Sequence, residues 1–118
     1  MSDVIYATYL GRLHTVPVDD VTHFRADSKY VVAHHAGGEL LLDEPLHALE
    51  TRFGERFVRI HRGTLVSAKH LKATCPQRDG GALAMVEGVS EPLTVSRRHR
   101  RSAITALAIK TGSRIDAR

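Results

Sequence analysis

Short apolar runs separated by turn-forming residues dominate this chain. Val31-Val32-Ala33 and Leu40-Leu41-Leu42 flank Gly37-Gly38, a pair able to adopt the positive φ that a tight hairpin turn demands. In Phe57-Val58-Arg59-Ile60-His61, Val58 and Ile60 fall on one face while Arg59 and His61 fall on the other. That period of two marks a half-buried strand. A second hairpin is expected to turn at Asp79-Gly80-Gly81, ahead of Ala82-Leu83-Ala84-Met85-Val86, and Leu93-Thr94-Val95 alternates again. Strands so short and so closely spaced predict a mainly β domain with antiparallel pairing.

Two segments carry a helical spacing instead. Pro45 suits a first helical position, because it has no N–H to leave unpaired and its φ is already set. Leu46, Leu49 and Phe53 follow at helical intervals, and Gly54 supplies a stop. This helix is expected to lie as a lid on a sheet. A second helix is expected to begin after Ser96 and run toward Lys110, with Ile104, Leu107 and Ala108 on its packed face. From Thr111 the chain becomes a polar tail. Nothing divides the sequence into two domains; residues 12–110 are read as one, preceded by a linker or edge segment over 1–11 and followed by the tail over 111–118.

Composition narrows the class. The chain has 118 residues, 42% hydrophobic and 25% charged, which is ordinary for a globular protein and enough for one core without metals or disulfides. No apolar run approaches the ~20 residues that cross a bilayer. The start lacks the basic and then apolar pattern of a signal peptide, so a cytoplasmic location is expected. Cys75 is the sole cysteine; it suits a reducing compartment and is expected to be a small buried hydrophobe.

Charge adds a direction. Residues 1–58 carry five Arg or Lys against nine acids, a net of −4, whereas residues 59–118 carry twelve against four, a net of +8. A basic half points to a polyanionic partner, although a merely solvated basic face produces the same count. The sharpest cluster is Val95-Ser96-Arg97-Arg98-His99-Arg100-Arg101. If Ser96 caps a helix, four arginines crowd a terminus whose partial charge is already positive, at a cost of roughly 0.3–1 kcal/mol for each exposed cation. Convergence of N–H groups and guanidiniums on a phosphate removes that cost; hydration of a basic turn is the alternative. The stretch from Arg59 to His70 holds five basic or potentially basic side chains (Arg59, His61, Arg62, Lys69, His70) and no acid. Arg62 precedes Gly63 and so projects from a turn. There it is either an ordinary surface residue or a fork that pairs with guanine O6 and N7 or with a phosphate. His61 is expected to order that turn or to pack beneath it rather than to touch a base.

These motifs occur in an order that resembles the LytTR-type DNA-binding domain, the output domain of LytR/AlgR/AgrA-class response regulators. The resemblance runs from Val18-Asp19-Asp20-Val21-Thr22-His23-Phe24-Arg25-Ala26-Asp27-Ser28-Lys29-Tyr30-Val31, through Leu46, Leu49-Glu50 and Phe57-Val58-Arg59-Ile60-His61-Arg62, to Leu93-Thr94-Val95-Ser96-Arg97-Arg98. It implies an all-β fold of about ten short strands in three antiparallel sheets, with one or two short helices. It also implies that three loops, not a recognition helix, enter two successive major grooves and the minor groove between them. Carried over by position, the first loop supplies Ser28, Lys29 and Tyr30, the second Arg62 with His61 and Gly63 beside it, and the third Arg97 with Arg98. Lys29 and Arg62 stand where a related pattern has His and Asn, which leaves the preferred base sequence open. Lys29, Arg62 and Arg97 are thus the candidates for base edges, and Tyr30, Lys69, Arg98 and Arg100 for phosphate or sugar. The implied partners are double-stranded promoter DNA, bound as two copies on adjacent repeats, and a receiver domain. No receiver fits into this length, so the chain is expected to be a fragment of a two-component regulator or else a stand-alone domain.

Other chemistries are poorly supported. The eight histidines show no ligand spacing, and His34 and His35 adjoin on a strand and face apart, so neither metal nor cofactor is expected. No nucleophile elbow, P-loop or dinucleotide motif occurs, so catalysis is not expected. An RNA-binding β domain lacks its stacking platforms here, since Tyr30 is the one aromatic beside a basic cluster. A protein-interaction module is the remaining alternative, separable from DNA binding by its weak salt dependence.

Overall fold

Turn geometry sets the order of strands in the computed structural model, which describes residues 3–111. Ten strands form: β1 (Val4–Tyr9), β2 (Arg12–Pro17), β3 (Val21–Asp27), β4 (Tyr30–His35), β5 (Gly38–Leu42), β6 (Phe57–His61), β7 (Thr64–Ser67), β8 (Leu71–Pro76), β9 (Ala82–Val86) and β10 (Leu93–Val95). Helix α1 (Leu46–Phe53) separates β5 from β6, and α2 (Arg100–Thr111) follows a 3-10 turn over Arg97–His99. The strands make a two-stranded sheet β1-β2, a five-stranded sheet ordered β5-β4-β3-β7-β6, and a three-stranded sheet ordered β10-β9-β8. Every pairing is antiparallel. Fold class, strand number and sheet number are those expected from the sequence.

The hairpins form where the turn residues are, with a small shift. His35 pairs with Gly38, so the β4–β5 turn is Ala36-Gly37, and Gly38 takes φ 139 as it enters β5. Helix α1 starts after Pro45 and stops at Gly54, whose N–H donates to the Glu50 carbonyl at φ 57. Its buried Leu46, Leu49 and Phe53 cover the five-stranded sheet, where Phe53 meets Phe24 at 6.1 Å and Phe57 at 5.6 Å. Each such side chain contributes roughly 1.5–3 kcal/mol of burial.

Two hydrophobic clusters form rather than one. The first gathers β1 to β5, α1, Phe57 and Leu65. The second gathers Ile60, Val66, Leu71, β9, β10 and Ala103 of α2. Among the described residues, only β6 and β7 contribute buried residues to both, from opposite faces of the same strands.

Two expectations need correction. Helix α2 packs Ala103, Ala106 and Leu107 against the second cluster, while Ile104 is exposed. Both triplets have helical spacing, and the small Ala103 wins because the helix lies close against β6 and β8. Cys75, expected to be buried, is exposed, since β8 is an edge strand with one wet face. Of the polar tail, residues 112–118 lie outside the described residues, and Thr111 ends α2.

Candidate nucleic-acid interface

Strand direction decides which turns meet. β3 ends at Asp27, which pairs with Tyr30, so Ser28-Lys29 form a two-residue tip. β7 runs antiparallel to β3 and begins at Thr64, opposite Arg25, which brings the Arg62-Gly63 tip to the same end. The Ala26 N–H donates to the Gly63 carbonyl at 2.9 Å and ties the two together. Beyond β6, the Ser96 N–H donates to the Ile60 carbonyl at 2.9 Å, so the β10–α2 junction carrying Arg97 and Arg98 joins the row. Lys29, Arg62 and Arg97 therefore project from neighbouring turns at one end, with Arg62 in the middle. In the β5-β4-β3-β7-β6 order the first two tips are two strand spacings apart, roughly 10 Å. A cleft of about 280 Å³ lined by Arg25, Ala26, His61, Gly63, Thr64 and Thr94 lies beside the second tip.

Each turn is stiffened by something other than its exposed cation. Ser28 holds φ 54, a left-handed conformation that costs a non-glycine residue of order 1 kcal/mol and fixes the tip beside Lys29. At the middle turn the Gly63 N–H donates to His61 Nδ1 at 3.2 Å, the ordering role expected of His61. Arg59 adds a brace: Nη1 donates to the Arg62 carbonyl at 2.7 Å and Nη2 to Glu50 Oε1 at 2.9 Å. At the third turn Ser96 Oγ bonds His99 Nδ1 at 2.7 Å instead of capping backbone N–H groups. Partial burial, then Arg59, Arg98 and His61, hold the His99 pKa below its ordinary value, so this ring adds no charge near neutrality.

Cations differ in whether they are paired, and exposed Arg12, Arg25, Lys72, Arg78 and Arg101, outside the three turn tips, also make no ion pair among the described residues. Arg52, Arg56 and Arg59 are ion-paired with Glu44, Asp3 and Asp19, and Glu50 respectively. Lys29, Arg62, Arg97 and Arg98 are exposed and make no ion pair among the described residues. Arg100 is half-buried and donates to the Gly80 carbonyl at 3.3 Å, so part of its guanidinium is already engaged. Tyr30 is exposed beside Lys29 and also lines a groove of about 670 Å³ with Tyr6, Tyr9, Asp43, Glu44 and others.

Lys69 does not belong with them. It sits on the β7–β8 turn at the opposite end of the main sheet, 3.8 Å from Asp19 Oδ2, and its neighbour His70 meets the Asp19 carbonyl at 2.6 Å. Strand β7 explains the separation: four residues at about 3.3 Å rise carry the chain roughly 13 Å away from Arg62. The run from Arg59 to His70 is thus two basic groups, not one. Sequence reading also missed Arg59 and Arg25. Arg59 reads as an outward strand residue because its partner, Glu50, comes from α1; Arg25 reads as one exposed strand position until its pairing with Thr64 puts it beside the middle turn. Among the described residues no group of three or more His, Cys, Asp or Glu is placed to hold a metal ion.

Comparison with known proteins bears on the fold and the family of the chain. Over 88 residues the chain is 48% identical to the positive alginate biosynthesis regulatory protein of Pseudomonas aeruginosa, covering 74% of this chain and 36% of that protein. Over 78 residues it is 31% identical to the CO-responsive transcriptional regulator RcoM of Rhodospirillum rubrum, covering 65% of this chain and 33% of that one. The chain thus spans about a third of the length of these relatives. Its fold superposes with a TM-score of 0.78 on the LytTr DNA-binding domain of a methyl-accepting/DNA response regulator from Bacillus cereus, at 21% identity, over 88% of this chain and 95% of that one. The family described as the LytTr DNA-binding domain matches residues 11–107. With that match covering most of its length, the chain belongs to the LytTR family of DNA-binding domains.

Proposed function

We propose that the chain is the output domain of a two-component transcriptional regulator and reads double-stranded promoter DNA in the cytoplasm through Lys29, Arg62 and Arg97. The observation that carries this reading is the alignment of three braced turns at one end, each presenting a cation with no ion pair among the described residues. Arg62, in the middle, faces the minor groove, and Lys29 and Arg97 reach the flanking major grooves. Ser28, Tyr30, Arg98 and the free donors of Arg100 contact phosphate or sugar, which fixes register without reading sequence. Lys69, at the far end, takes no part. Two copies bind adjacent repeats, and a receiver domain elsewhere in the full-length protein controls their pairing. The curated relatives are regulators, which supports this placement.

Selection from random duplexes defines the site, and titration at two salt concentrations tests the mode. If six or more phosphates are neutralised, affinity falls roughly 10³- to 10⁵-fold between about 50 and 200 mM salt. Arg97→Ala loses about 1–3 kcal/mol on the selected site and relaxes preference at one position, while Arg62→Ala weakens binding and relaxes at most a preference between A·T and G·C. Binding that ignores salt, or variants that match the parent, would refute the reading.

A further inference from the structure

The β8–β9 loop is not one of the three reading turns, yet its backbone is pressed against one of them. Gly80 holds φ 94, and a β-carbon added there would lie 2.7 Å from Arg97 Cδ and 3.1 Å from Cγ. A β-carbon on Gly81 would lie 2.7 Å from the Val95 carbonyl oxygen. A side chain at Gly81 would meet fixed backbone and one at Gly80 would push the Arg97 stem aside, so the stem rests on bare backbone.

The loop that forms this seat is itself held in shape. The Gln77 N–H donates to the Gly81 carbonyl at 2.9 Å, the Gly80 N–H to the Gln77 carbonyl at 3.1 Å, and the Gly81 N–H to Asp79 Oδ1 at 2.9 Å. Arg100 Nη1 reaches back to the Gly80 carbonyl at 3.3 Å, joining the loop to the start of α2. An exposed arginine samples many rotamers and surrenders them on binding. A wall along one side of its stem removes some of them beforehand and limits the directions in which the guanidinium leaves the surface.

We propose that Gly80 is a positioning residue for DNA recognition: the β8–β9 loop aims Arg97, and through it sets the base pair that Arg97 reads. The proposal rests on the assignment of Arg97 as a base contact. Gly80 itself need not touch DNA.

The probe is the best duplex selected from a random library by this chain, with its single substitutions at the base pair whose preference Arg97→Ala abolishes. Gly80→Ala and Gly80→Asn both add a β-carbon, and Asn tolerates positive φ far better. Both are expected to lose roughly 5- to 150-fold in discrimination at that base pair, with little change on random duplex. The deciding measurement is a double-mutant cycle. In an Arg97→Ala background, Gly80→Ala should have no further effect on discrimination. An equal loss with and without Arg97, or unchanged discrimination by folded Gly80→Asn, overturns the proposal while leaving Arg97 as a reader. Unchanged discrimination by Arg97→Ala alone removes the base contact first, and the positioning role falls with it. Far-UV circular dichroism confirms folding. If neither Gly80 variant folds, Arg100→Gln decides: it releases the Gly80 carbonyl without straining the backbone. Through its own phosphate contact it is expected to weaken all sequences alike, and beyond that it must reduce discrimination at the Arg97 base pair only when Arg97 is present; a uniform loss with discrimination unchanged overturns the proposal.

Discussion

Mild acid should destabilise this domain through one histidine. His23 lies on central strand β3, 4% exposed, its ring stacked on His34 at 4.2 Å with only 4° between planes. Thr22 Oγ1 donates its single proton to the His34 carbonyl at 3.1 Å, so at 2.9 Å it accepts from His23 Nδ1–H. Burial, then His34 and Arg25, hold the His23 pKa at about 4 against an ordinary 6.5. The folded state keeps the ring neutral while the unfolded chain takes up a proton below 6.5. Stability from this group is therefore complete above pH 6.5 and lost as pH falls from 6.5 through 4. The gap corresponds to about 3 kcal/mol in full, with about 2 kcal/mol lost by pH 5, before most carboxylates titrate. His34, also lowered by burial, acts in the same direction. Urea melts followed by far-UV circular dichroism at pH 7 and pH 5 read the effect as a midpoint lower by roughly 1 M. His23→Gln should be less stable at pH 7 but lose much less on acidification. A parent midpoint that does not move, or a variant that falls as steeply, would refute the argument.

Three further outcomes follow from geometry. Lys69→Ala should leave affinity and salt slope on the selected duplex unchanged, because its turn is at the other end of the sheet; a loss comparable to that of Arg62→Ala would show that DNA wraps farther than proposed. Glu50→Ala leaves half-buried Arg59 without its carboxylate and should destabilise the fold by about 1–3 kcal/mol while weakening DNA binding through the Arg62 turn, read by melts and titration on the same samples. Ser28→Gly relieves a left-handed φ and should be neutral or stabilising by up to about 1 kcal/mol. Its looser tip should nevertheless bind the selected duplex less tightly, and unchanged binding would mean that Ser28 strain does not orient Lys29.

Much of this architecture could be read directly from local chemistry. Alternation in Phe57–His61 and Leu93–Val95, the glycines near 37 and 80, and the Pro45-to-Gly54 frame of α1 all report interactions between residues close in sequence. What escaped depends on partners far along the chain. The phase of α2 follows from how near the helix lies to β6, which favours Ala103 over the larger Ile104. Four residues of β7 send Lys69 away from Arg62 although both belong to one basic run. The brace at Arg59 needs Glu50 from α1, and the burial of His23 needs β4 and β7 on either side of β3.

The β6–β7 hairpin, which feeds both hydrophobic clusters, has a mechanical consequence. Lys29 is anchored to the first cluster through β3 and β4, and Arg97 to the second through β10, while Arg62 sits on the hairpin itself. The span between the outer two cations therefore depends on the twist of that hairpin, with the contact of His70 to the Asp19 carbonyl at its far end as a second tie between the two halves.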